Sequence, residues 1–113
     1  MITVYHNPRC RKSREALAFL EKENQTFEVV KYLDEPLSKA QLESLLEKLE
    51  LDPIDLIRTQ EQIWITSFRD KNLSKSQLVD LMLEHPRLME RPIVVNGDKA
   101  VIGRPVEKIH DVL

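Results

Sequence analysis

The opening of this chain confines it to an α/β architecture. Residues 2–5, with β-branched Ile2, Thr3 and Val4 followed by Tyr5, read as a short strand. His6-Asn7-Pro8 breaks it, and Ala16, Leu17 and Leu20 then form an apolar stripe on a helix that begins near Cys10–Arg11. Phe27 to Tyr32 reads as a second strand, ending before Asp34-Glu35-Pro36. Strand, helix and strand within about 32 residues is the length of a βαβ unit, whose two strands lie parallel.

The middle of the chain changes to a helical period. Ser38 and Gln41 form a capping box, with Leu37 and Leu42 as its apolar staple, and Leu42, Leu45, Leu46 and Leu49 follow at helical spacing. Asp52-Pro53 opens a shorter helix through Ile57. Ser74 and Gln77 repeat the capping box, with Leu73 and Leu78 as staple; Leu78, Leu81 and Met82 continue the stripe, and Pro86 closes it. Residues 61–72 fit no single pattern, and Trp64 and Phe68 within them are expected to pack in a core.

Pro92 to Val95, Asn96-Gly97 and Lys99 to Ile102 then spell a hairpin, with Asn-Gly expected to supply the positive-φ pair of a type I′ turn. Gly103-Arg104-Pro105 opens a last helix with Val106, Ile109 and Leu113 on one side. The order predicts a four-stranded mixed sheet with flanking helices and a helical insertion at about 38–89. At 113 residues, 42% of them apolar and 32% charged, a single domain over 1–113 is expected.

Seventeen Lys and Arg against 19 Asp and Glu leave a net charge of −2, which supplies no global field for nucleic acid or an anionic membrane. Met1 to Tyr5 leads into polar residues without the basic start and apolar middle of a signal peptide, so a cytoplasmic location is expected. A monomer is expected, because no self-pairing surface stands out.

Cys10 is the only cysteine. It forbids an intramolecular disulfide, and any redox cycle through it must draw electrons from another molecule. It stands where the first strand passes into the first helix, a position that offers free amide donors and partial positive charge to a thiolate. Arg9, Arg11, Lys12 and Arg14 place four cations within six positions around it. Cations in a first helical turn oppose the helix dipole, and a bound anion would turn that repulsion into attraction. Position 13 is Ser13, so there is no C-x-x-C pair; position 16 is Ala16, so there is no phosphatase-type arginine. A monothiol nucleophile beside an anion site remains. His6, in the same loop, is either a support for the thiolate, as cation or donor, or a surface histidine at a strand end. His85 and His110 lack metal-ligand spacing, and no metal or bound cofactor is implied.

Tyr5-His6-Asn7-Pro8-Arg9-Cys10 with Ser13-Arg14, Leu56-Ile57-Arg58, Arg91 to Val95, and Gly103-Arg104-Pro105 together resemble the glutaredoxin-coupled arsenate reductase (ArsC) family, in order across residues 2–113. Within it the chain is most similar to the short, uncharacterised bacterial members. The resemblance implies a thioredoxin-like fold and arsenate, or a similar oxyanion, as substrate. It makes Cys10 the nucleophile, assigns oxyanion binding to Arg58, Arg91 and Arg104, lets His6 lower the Cys10 pKa, and has Ser13 hydrogen-bond the thiolate. Glutathione would act as co-substrate and glutaredoxin would resolve the mixed disulfide. Guanidinium forks match the paired oxygens of a tetrahedral oxyanion, and Arg91 and Arg104 each precede a proline that stiffens the backbone. The Arg91–Pro92 bond is expected to be cis by the same resemblance. Gly103 stands where some resistance reductases carry a second cysteine. Two alternatives stay open: a regulator similar to the Spx proteins that bind RNA polymerase, against which Ser13 counts, and a monothiol glutathione-dependent oxidoreductase with no oxyanion step.

Overall fold

β1 (Ile2–Tyr5) occupies the interior of a four-stranded sheet. It pairs in parallel with β2 (Phe27–Val30) and antiparallel with β3 (Ile93–Asn96), which pairs antiparallel with β4 (Lys99–Ile102), giving the order β2-β1-β3-β4. The computed structural model describes all residues, 1–113. They group into two compact units, Met1–Glu35 with Arg91–Leu113, and Pro36–Glu90.

In the first unit, strand alternation buries Ile2 and Val4 and leaves Thr3 and Tyr5 half-buried. α1 (Arg11–Lys22) crosses between the parallel strands, and its Ala16 and Leu20 meet Ile2, Val4, Val94, Ile109 and Val112 in one core. Leu17 packs only at the margin of that core. β2 stops at Val30, two residues short of the expected end. The His6 amide takes the Val30 carbonyl at 2.8 Å, and β1 has already ended, so Lys31 and Tyr32 have no strand to pair with. The amides of Asp34 and Glu35 donate instead to the Lys31 carbonyl, and Tyr32 turns inward and is buried.

The β3–β4 turn is shifted by one residue from the sequence expectation. Asn96 pairs with Lys99, so Gly97-Asp98 forms the two-residue loop, and only Gly97 has positive φ, at 65°. Glycine at the first central position is the arrangement of a type II′ turn, not the type I′ pair expected at Asn96-Gly97. Asn96 remains a strand residue, and its Nδ2 donates to the Val112 carbonyl at 2.6 Å. The last helix is of the 3-10 kind, Val106–Val112. Three residues per turn align Val106, Ile109 and Val112, which buries Val112 and leaves Leu113 43% exposed, correcting the expectation for Leu113. Arg91–Pro92 is cis, and so is Arg104–Pro105.

The second unit is helical. Both capping boxes form: in α2 (Lys39–Leu49) and α3 (Lys75–Glu84) the cap serine accepts the third amide at 3.1 Å, and the Gln41 or Gln77 carboxamide accepts the cap amide at 2.8 Å. Leu42, Leu45, Leu46, Leu78, Val79, Leu81 and Met82 are their buried faces. Pro53–Leu56 is a 3-10 helix, and the following Ile57 is extended and bridges Met89. The ambiguous stretch holds a π-helical turn, Trp64–Phe68. Trp64 is buried as expected; Phe68 is only half-buried, tilted against His85 and capped by Lys71, so the core expectation fails for it. An additional 3-10 turn, Pro86–Leu88, buries Leu88. No helix is long and apolar enough to cross a membrane.

Candidate active site

Strand register gathers one set of chain ends. Ile93 pairs with both Tyr5 and Ile102. The segment leaving β1 toward Cys10, the residues entering β3 from Arg91, and the residues leaving β4 toward Arg104 therefore share one end of the sheet. Cys10 is the N-cap of α1, with an extended backbone at φ −94° and ψ 122°, and is 8% exposed.

Two arginines reach its sulfur. Arg104 Nη2 lies 3.7 Å from Sγ, across 94 positions of sequence. Burial by itself pushes the Cys10 thiol up; a hydrogen bond from Arg91, the backbone amides of Ser13 and Lys12, and the Arg91 charge outweigh it and bring the pKa to about 6. Neither amide meets the geometry of a strict capping bond, yet both favour the charged sulfur. At neutral pH the thiolate exceeds the thiol by roughly tenfold. Arg104 Nε is buried without a partner, so its guanidinium retains donor capacity at the site.

Ser13 is fully buried; its Oγ accepts from the Asn7 amide at 3.3 Å, and its backbone amide favours the charged sulfur. His6 is 5% exposed, with Nδ1 unpartnered. Burial pushes its pKa down, helped by the charges of Lys31 and Arg14, against a backbone hydrogen bond with Ser13 that raises it. His6 is therefore neutral at pH 7 and lends the site no positive charge. Arg58 belongs to the second unit, where it forms an ion pair with Glu61 and its amide donates to the Leu88 carbonyl at 2.7 Å.

The basic cluster of the loop has other engagements. Arg9, Arg11, Lys12 and Arg14 are exposed; Arg11 and Lys12 each stand 3.7 Å from Glu15, and Arg14 Nη1 donates to the Pro8 carbonyl at 2.9 Å. The cations that favour the thiolate are thus Arg91 and Arg104, from outside the loop. His110 stacks edge-on against Phe19, and no group of three or more His, Cys, Asp or Glu is placed to hold a metal ion. Asn7, buried at the centre of the loop, had no role in the sequence reading. Its signal was the Asn-Pro pair, since asparagine before proline starts turns through its own side chain.

A thioredoxin-like sheet carrying one activated thiolate between two arginines defines the class of protein. The chain belongs to the ArsC family, whose sequence profile matches residues 5–112. It is 40% identical to the arsenate reductase of Haemophilus influenzae, with 99% of this chain and 98% of that one covered. It is 41% identical to uncharacterized protein YfgD of Escherichia coli, over 99% and 96% of the two chains. The solved structure of the arsenate reductase from Vibrio cholerae superposes with a TM-score of 0.93 at 39% identity, covering 99% of this chain and 97% of that one.

Proposed function

We propose that the protein reduces arsenate to arsenite in the cytoplasm, with Cys10 as nucleophile and glutathione and glutaredoxin as the source of electrons. The observation that carries this reading is a buried thiolate held by Arg91 and Arg104, with the Arg104 Nε donor still unsatisfied. A tetrahedral oxyanion supplies an acceptor for that Arg104 donor. Relatives named arsenate reductase, from Haemophilus influenzae and Vibrio cholerae, support the arsenate step of this reading.

The chemistry follows from a single thiol. The Cys10 thiolate attacks arsenic and displaces one oxygen as water, after protonation, leaving a sulfur–arsenic(V) bond. Glutathione thiolate attacks the Cys10 sulfur, and the electron pair of the sulfur–arsenic bond passes to arsenic. Arsenic leaves as arsenite, reduced by two electrons, and the two sulfurs are joined as a mixed disulfide. A glutaredoxin thiol exchanges with that disulfide and returns Cys10 to its reduced state. Arg91 and Arg104 neutralise the oxyanion during attack, and the Ser13 amide steadies the thiolate before it. Resemblance assigns a third oxyanion contact to Arg58 and a part in lowering the Cys10 pKa to His6.

The test is NADPH consumption dependent on arsenate, coupled through glutathione reductase with glutathione and glutaredoxin supplied. Wild-type protein is expected to turn over and Cys10→Ser to show none. Arg104→Lys keeps the charge but forfeits the fork, and kcat/KM should fall about 10- to 100-fold. Wild-type turnover no higher than that of Cys10→Ser would falsify the reading. Reduction of glutathione mixed disulfides that survives both Arg91→Gln and Arg104→Gln, without arsenate turnover, would replace it with a plain monothiol oxidoreductase.

A further inference from the structure

The loop between β1 and α1 is held by one residue to which no role has yet been given. Asn7 is 7% exposed, and three of its polar groups are engaged within the loop. Its carbonyl accepts the Cys10 amide at 2.9 Å, closing a four-residue turn that has Pro8 at the second position. Its Oδ1 accepts the Arg9 amide at 3.0 Å, so the side chain braces the same turn from inside. Its own amide donates at 3.3 Å to the hydroxyl of Ser13, which lies in the first turn of α1 and is fully buried. The first contact ties Asn7 to the nucleophile, the second to the residue before it, and the third to the helix whose amides face the sulfur.

We infer that Asn7 is a positioning residue, whose carboxamide braces the Cys10 turn while its backbone amide ties that turn to the first turn of α1, so that the sulfur is held by the Lys12 and Ser13 amides. This deepens the proposed function, because it rests on Cys10 being the nucleophile. The carboxamide is the part of Asn7 that substitution removes. Without it the Arg9 amide loses its acceptor, the turn is free to open, and Cys10 can swing away from donors that favour its charged form. Proline at position 8 restrains φ there but has no side-chain acceptor for the Arg9 amide, so it cannot replace the lost brace. No hydrogen bond joins Asn7 to the sulfur; it acts through Cys10 and Ser13.

The pH profile of Cys10 alkylation by iodoacetamide tests this, and it requires no arsenate turnover. Asn7→Ala is expected to raise the midpoint by about one unit, reducing the thiolate at low pH about tenfold. Asn7→Ser keeps a short acceptor that can still take the Arg9 amide, and it should recover more than half of that shift. In the arsenate assay, kcat of Asn7→Ala should fall while KM for arsenate stays near the wild-type value. Urea denaturation of each variant separates positioning from folding, since loss of folded protein lowers the amplitude of alkylation without moving its midpoint. Should Asn7→Ala fail to fold, Asn7→Ser against wild type decides, with a smaller upward shift expected. A wild-type midpoint in the folded variant, or a shift in Asn7→Ser as large as in Asn7→Ala, overturns the inference. Loss of arsenate turnover in the wild type would instead strike at the proposed function and leave this clamp standing.

Discussion

Charge at one sulfur is the feature on which the site turns. The Cys10 pKa of about 6 is the balance between burial, which raises it, and Arg91 with the Ser13 and Lys12 amides, which lower it. Arg91→Gln removes the guanidinium and its charge, leaving only a shorter, neutral amide donor. The midpoint of Cys10 alkylation should then move upward by about one to three units, measured as the rate of modification against pH. An unchanged midpoint would remove Arg91 from the site. The same shift has a consequence for stability. A thiol with a depressed folded-state pKa stabilises the fold most above its unfolded pKa, and that contribution fades as pH falls toward 6. Cys10→Ser should therefore show a flatter dependence of urea midpoint on pH between 6 and 9 than the wild type. At this scale the candidate nucleophile was legible in the sequence, because the only cysteine stands at a strand–helix junction. Its cations were less so: the adjacent basic cluster draws the eye, yet Arg11 and Lys12 lean on Glu15.

At the scale of elements, α1 starts against its own dipole. It begins with Arg11 and Lys12, has no acidic residue in its first turn, and so opposes its own dipole. Lys12→Glu should stabilise the helix by about 0.3–1 kcal/mol in thermal unfolding. A carboxylate at that position should also raise the alkylation midpoint of Cys10, and an unmoved midpoint would show that side-chain charge there does not reach the sulfur. Gly103 shows a second constraint, since a Cβ there would lie 3.2 Å from Pro92 Cγ and 3.3 Å from Ile109 Cγ1. Gly103→Ala should destabilise by about 1–3 kcal/mol in urea titration. Helix starts were readable because a capping box closes within four residues, and both serine boxes formed at the expected positions. Element ends were less readable. β2 ends where β1 stops offering partners, the hairpin turn slides to Gly97-Asp98, and the 3-10 winding exchanges Leu113 for Val112.

For the whole molecule, strand order matters more than any single contact. β1 finds β2 after one helix but β3 only after the long excursion through Pro36–Glu90. The β3–β4 hairpin is flanked by Arg91 and Arg104, so docking it beside β1 delivers both guanidinium groups to the Cys10 end of the sheet. Val94 is fully buried on that strand, opposite Val4. Val94→Asp places a charge in the core and should unfold the sheet; circular dichroism and cysteine alkylation should then change together, with the thiol returning to its ordinary range. A midpoint that stays near 6 after loss of the fold would mean that the loop alone activates the sulfur. What the amino-acid order determined by itself was local: the βαβ opening, the two capped helices, the hairpin and the place of the single cysteine, all written in interactions a few residues long. Which cations meet that nucleophile was decided only by tertiary structure. The Arg104–Cys10 contact spans 94 positions, and strand pairing, not proximity in the chain, brings its ends together.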